Sequence, residues 1–140
     1  AIEPYRLEGV DHAVRSAEMA AEVLPDFGFP REKAPLVVEI IRGHMYDAEP
    51  GQSHEAILFH DADALDFLGA IGIARLLAVT GRDSWTPDLN HSIAVIKGFS
   101  RDLPSSLRTT AARKIGEARR REMDSFLSAL SVETDGLRLL

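Results

Sequence analysis

Residues 59–75 read Phe59-His60-Asp61-Ala62-Asp63-Ala64-Leu65-Asp66-Phe67-Leu68-Gly69-Ala70-Ile71-Gly72-Ile73-Ala74-Arg75, and how this stretch folds decides the class of the whole chain. Ile57, Leu58, Ala62, Leu65 and Leu68 recur at the helical period, and Ser53 stands where a helix N-cap belongs. The pattern predicts one helix from Ser53 that continues through the alanine-rich, glycine-interrupted stretch to Val79. Gly69 and Gly72 point to close helix packing or a kink. On such a helix His60, Asp63 and Asp66 are three residues apart and share a face. Carboxylates packed this closely repel one another, and a divalent cation is the cheapest way to neutralise them. The competing reading is a solvated acidic helix face.

Working outward, Asp11 is expected to cap a helix to about Leu24, ended by Pro25 and Gly28. Pro30 is expected to open a second helix, where a missing amide donor costs nothing, with Leu36, Val37, Ile40 and Ile41 as its apolar stripe. Segments 47–52 and 81–87 read as loops from their Pro, Gly and Asp content. Asp88 would cap a helix to about Phe99, Pro104 and Ser105 mark a boundary, and a long helix is expected from Ser105 to about Leu130. No stretch alternates long enough for a strand. The expected fold is all-α, a bundle of about five helices in a single domain over residues 1–140, without internal repeats.

Composition excludes several classes. The 140 residues are 45% hydrophobic and 27% charged with ten glycines and seven prolines, which is the balance of a globular chain and not of a disordered or collagen-like one. Without cysteine there is no disulfide framework, thiolate metal site or cysteine nucleophile, which fits a reducing, cytoplasmic setting. The longest apolar stretch, residues 67–80, is broken by Arg75 and is too short to span a bilayer. The net charge of −6 is uneven: residues 1–66 carry fourteen acids against five bases, residues 67–140 eight against eleven. An acidic chain argues against bulk nucleic-acid affinity. The acidic half, with four of the five histidines, looks like the place for a cation.

Taken singly, His12, His44, His54 and His91 read as surface or helix-end residues. The basic run Arg108, Arg113, Lys114, Arg119, Arg120, Arg121 could contact phosphate, but its spacing against Glu117, Glu122 and Asp124 suits a solvated helix face better.

Several landmarks together resemble the HD-domain metal-dependent phosphohydrolases. Asp11-His12-Ala13-Val14-Arg15-Ser16-Ala17-Glu18, Gly28-Phe29-Pro30, Ile41-Arg42-Gly43-His44, residues 57–66 and Gly69-Ala70-Ile71-Gly72-Ile73-Ala74-Arg75 occur in that family's order and spacing. Lys97, Thr109, Arg113, Arg119 and then Met123, Phe126 and Leu127 extend the likeness, which covers about residues 9–130 and is most specific from Asp61 to Arg75.

The resemblance implies a helical bundle that hydrolyses phosphate or pyrophosphate bonds of a small phosphorylated substrate such as a nucleotide, with a divalent ion (Mn, Co, Fe, Mg or Zn) as cofactor. By matching position, Asp63 is the final metal-ligating aspartate and His12 and His44 are additional histidines of the site. Asp61 and Asp66 would support the ligands or pack helices, and Arg75, Lys97 and Arg113 would face the substrate. No catalytic residue is assigned by the motifs present. The family's first histidine and its adjacent His-Asp pair precede the part matched here, and His60-Asp61 occupies the place of the last aspartate motif. The domain, which begins at Ala1 without an initiator methionine, is therefore expected to be incomplete on its N-terminal side, with uncovered apolar helix faces that favour self-association. The second reading is a degenerate, non-catalytic HD-like module that binds a ligand or partner.

Overall fold

The computed structural model describes residues 11–82 and 84–138. The first positions of the family-like stretch, 9 and 10, and residue 83 of the expected 81–87 loop lie outside the described residues. Among the described residues there are six helices and no strand: α1 (His12–Asp26), α2 (Ala34–Arg42), α3 (His54–Asp66), α4 (Gly69–Ala78), α5 (Leu89–Ser106) and α6 (Thr110–Glu133). The all-α reading holds, with one more helix than the pattern suggested. None of the six is long and apolar enough to cross a membrane.

The extra helix comes from a break at the acidic stretch. Instead of one helix from Ser53 to Val79, α3 stops at Asp66, Leu68 turns extended (φ −109°, ψ 155°), and Gly69 takes φ +72° to start α4. That φ is one an L side chain adopts at a cost, so the glycine sets the place of the break. Gly72 completes it, because a Cβ there would collide with the Phe67 backbone.

Two helices run through prolines and past their expected ends, α1 beyond Leu24 and Pro25 to Asp26, and α5 beyond Phe99 and Pro104 to Ser106. Pro25 lies in the last turn of α1 and Pro104 in the last turn of α5, which runs on to Ser106. In a last turn a proline removes a single hydrogen bond and the helix survives it for one or two residues. Pro30 does not open α2; it belongs to a turn closed by Lys33 N donating to Pro30 O at 3.0 Å, and Pro35 takes the early helical position instead. The last helix starts at Thr110, five residues later than expected, because Thr109 rather than Ser105 is its cap: the Thr109 hydroxyl accepts from Ala112 N at 3.2 Å.

The chain forms two compact units, and the boundary falls inside α3, between His60 and Asp61. In the first, α1 packs on α2. Among the described residues its buried hydrophobic side chains are those of Ala13, Ala17 and Ala56, and α2 buries none of its nine residues. In the second, α4, α5 and α6 pack on one another around Leu68, Leu76, Ile93, Ile96, Leu103, Leu107 and Met123. Gly116 of α6 lets Leu107 pack against the helix, since a Cβ there would collide with the leucine methyl.

Candidate functional site

In the first unit, Asp11 caps α1 as expected, its carboxylate accepting from Ala13 N at 2.7 Å, and this places His12 in the first turn. At the far end of α2, Gly43 N donates to Glu39 O at 3.1 Å, and the chain leaves the helix at His44. His44 Nδ1 lies 2.6 Å from Ile41 O. A carbonyl can only accept, so Nδ1 carries the proton and Nε2 keeps its lone pair in the neutral ring. The His12 and His44 rings meet edge to face, with centroids 5.6 Å apart and planes at 82°. The Phe59 ring also meets that of His44 edge to face, with centroids 5.9 Å apart. Two histidines 32 positions apart in sequence are thus brought together by the α1–α2 pair.

An open cleft of about 420 Å³ in the same unit is lined by Pro35, Glu39, Arg42 and Glu49 among others. Two carboxylates against one guanidinium make it a poor seat for a phosphate.

The second unit separates the aspartates of the acidic stretch. Asp61 is 2% exposed and acts as an acceptor for the start of α6: Oδ1 takes Arg108 N at 2.7 Å, and Oδ2 takes Thr109 N at 2.8 Å and Thr109 Oγ1 at 2.7 Å. A carboxylate here satisfies amide donors at the N-terminal end of α6, where the dipole also favours negative charge. Asp63, two residues on, is half-buried. Asp66 is exposed and accepts from Arg75 Nη1 at 2.7 Å, while the Arg75 guanidinium lies 5.1 Å from the centre of the Phe67 ring.

Arg75 is therefore held by Asp66 and Phe67 at the break between α3 and α4. Lys97 is exposed on α5, and Arg113 is exposed on α6 with its Nε donating to Leu107 O at 2.8 Å. Arg119, which the spacing placed in a solvated run, donates through Nη1 to Leu65 O at 2.6 Å and so covers a carbonyl at the end of α3. Arg120 does belong to the solvated face, pairing with Glu117 at 3.1 Å and Asp124 at 3.3 Å. His91 sits on the exposed cap of α5, 2.8 Å from Asp88. The amide of His91, followed by its ring, holds the Asp88 carboxyl below its ordinary value of 3.8. His54 is exposed at the start of α3, and His60 is buried at 1% exposure.

The position that sequence reading undervalued is Thr109. Its hydroxyl both donates to Asp61 and accepts from Ala112 N; besides its place among the family landmarks, the available signal was a threonine directly before a helical run. Among the described residues, no group of three or more His, Asp or Glu side chains is gathered so that it could hold a metal ion. The donors among the described residues do not make a complete metal site.

The chain matches no protein-family model, and no curated protein is similar to it in sequence. Solved structures are similar. YpgQ of Bacillus subtilis is 26% identical, with 86% of this chain covering 64% of that one at a TM-score of 0.68. A second structure of YpgQ, in complex with ADP, is 25% identical over 92% of this chain and 70% of that one, again at 0.68. An HD-superfamily hydrolase of Bacillus thuringiensis is 27% identical over 94% and 68% of the two chains, at 0.66. The chain thus spans about two thirds of the length of each of these proteins. The all-helical architecture and these likenesses agree, and the fold of this chain is the HD-domain helical bundle of the HD-superfamily hydrolases.

Proposed function

We propose that the chain is part of a phosphohydrolase of the HD type that acts on a small phosphorylated substrate, with a nucleotide phosphate or pyrophosphate bond as the leading class. The observation that carries the reading is the His12–His44 pair, 5.6 Å apart, in a fold shared with HD-superfamily hydrolases. The ADP complex of the similar YpgQ supports a nucleotide as ligand. In this reading His12, His44 and Asp63 are the donors the chain offers to a divalent ion, and imidazole and carboxylate suit Mn, Co, Fe, Mg or Zn in kind. Because the described residues do not complete a donor set, no step of the hydrolysis is assigned to an ion.

The protein's own groups have defined tasks. His44, with its proton fixed on Nδ1 by Ile41 O, presents Nε2 as an acceptor. Arg75, Lys97 and Arg113 are the cations assigned to phosphate oxygens; Arg75 offers a planar fork already oriented by Asp66. Asp61 and Asp66 hold α6 and Arg75 in place.

The incomplete donor set favours a second reading, a ligand-binding module without catalysis. Titration calorimetry with ADP, alongside phosphate release from a panel of nucleotides with and without Mn or Co, separates the two. Hydrolysis that needs the added metal and disappears in Asp63→Ala supports the enzyme. Binding without release under every metal supports the module. Hydrolysis that survives Asp63→Ala refutes the site assignment, and absence of both binding and release refutes both readings.

A further inference from the structure

We propose that Asp61 is a positioning residue for phosphate recognition: it grips one end of the peptide unit between Leu107 and Arg108, and the other end of that unit aims Arg113. The role rests on Arg113 being a phosphate contact, as proposed above. Of the three cations given that task, Arg75 shares its charge with Asp66, and the exposed Lys97 makes no hydrogen bond or ion pair among the described residues. Arg113 differs from both. Its Nε donates to Leu107 O at 2.8 Å, a neutral partner, and among the described residues no carboxylate pairs with it. Its charge is whole, its direction is set, and both Nη groups are left for the oxygens of an anion.

Arg113 stands near the start of α6, where the helix dipole disfavours a cation and where helical side chains lean back toward the N-terminus. Leaning back, it meets the carbonyl of Leu107. Leu107 is extended (φ −63°, ψ 131°) and fully buried, with its side chain against Gly116. The next two amides, Arg108 N and Thr109 N, donate to the Asp61 carboxylate at 2.7 and 2.8 Å. Leu107 O and Arg108 N belong to one planar peptide unit and point to opposite sides of it. Whatever holds the amide therefore fixes the carbonyl. Asp61 from α3 takes the N–H, Arg113 from α6 takes the C=O, and the two hydrogen bonds polarise one another through the peptide between them.

Two measurements on the full chain test the role, one of them without ligand. In NMR of the arginine side chains, exchange of the Arg113 Nε–H quickens by about fivefold or more in Asp61→Asn. Exchange at Arg120, whose Nε donates to Glu117, stays as it was, which separates local loosening from unfolding. Arg108→Pro deletes the gripped N–H and has the same effect, since the extended Leu107 suits the residue before a proline, whereas Arg108→Ala keeps the N–H and has none. In titration calorimetry with ADP, Arg113→Ala weakens binding by about tenfold or more. Asp61→Asn weakens it by about threefold to fivefold, and by less than about twofold in an Arg113→Ala background. Circular dichroism checks that each variant keeps its helices. Equal losses from Asp61→Asn in the two backgrounds, unchanged affinity in Arg113→Ala, or an Arg113 Nε–H indifferent to Asp61→Asn or to Arg108→Pro overturns the positioning role while leaving the nucleotide reading in place. A wild type that binds no ADP refutes that reading and this role with it.

Discussion

Asp61→Ala is the most informative single change for the second unit. The carboxylate is 2% exposed and accepts three hydrogen bonds, from Arg108 N, Thr109 N and Thr109 Oγ1, at 2.7, 2.8 and 2.7 Å. A hydrogen bond to a charged group contributes about 1.5–3 kcal/mol, and the three share one anchor, so they do not simply add. Truncation to alanine also strips the acceptor from donors at the start of α6. The expected loss is about 3–5 kcal/mol, a large part of the roughly 5–15 kcal/mol that holds a domain folded. Urea unfolding followed by the fluorescence of Trp85, the sole tryptophan, reports on this unit. With a slope of about 1–3 kcal/mol per molar urea, the midpoint falls by roughly 2 M. Asp61→Asn keeps the shape but turns an amide N–H₂ toward a backbone N–H, and loses about half as much. Thr109→Val costs about 1–2 kcal/mol through the lost cap, Thr109→Ser much less, and the Asp61→Ala/Thr109→Val double variant loses less than the two single changes together. An Asp61→Ala protein destabilised by under about 1 kcal/mol would refute the reasoning that this carboxylate anchors α6.

Gly69→Ala is expected to lose at least about 1–2 kcal/mol in thermal or urea unfolding, from the +72° φ and a Cβ 2.9 Å from Arg119 Cγ. Gly98→Ala in mid-α5, where a Cβ meets nothing within 4 Å, should instead gain about 0.5–1 kcal/mol; a loss there would contradict the open space beside it. Because the His91 amide and ring lower the Asp88 pKa below 3.8, the charged cap contributes stability that is fully present above that value and is lost as pH falls through the folded pKa. The stability gap between wild type and Asp88→Asn should accordingly narrow in acid below that value, and a gap independent of pH would exclude the charge as its source. Arg75→Ala removes an exposed pair, with both side chains about half exposed, and should change stability by less than about 1 kcal/mol. If Arg75 contacts phosphate, the same change weakens ADP binding in calorimetry, and unchanged affinity removes it from the substrate side.

Helix starts at Asp11, Ser53 and Asp88 were legible because a cap is a bond between a side chain and an amide two or three residues away. Helix ends were read too early: Pro25 lies in the last turn of α1 rather than ending it, and α5 runs beyond Phe99 through Pro104 to Ser106. The same local chemistry could not locate the break at Leu68, which depends on Gly69 passing under Arg119 and Glu122, some fifty residues further along. Nor could it rank the aspartates. Asp61, Asp63 and Asp66 look alike in a row, yet Asp61 is committed to amides 47 and 48 residues away and Asp66 to Arg75, nine residues away. Periodicity and caps, which are short-range, therefore settled that the chain is helical and where most helices begin. Which carboxylate is buried, which arginine is a cap and that His12 meets His44 were decided by tertiary packing, because those bonds join atoms that only the folded chain brings within reach.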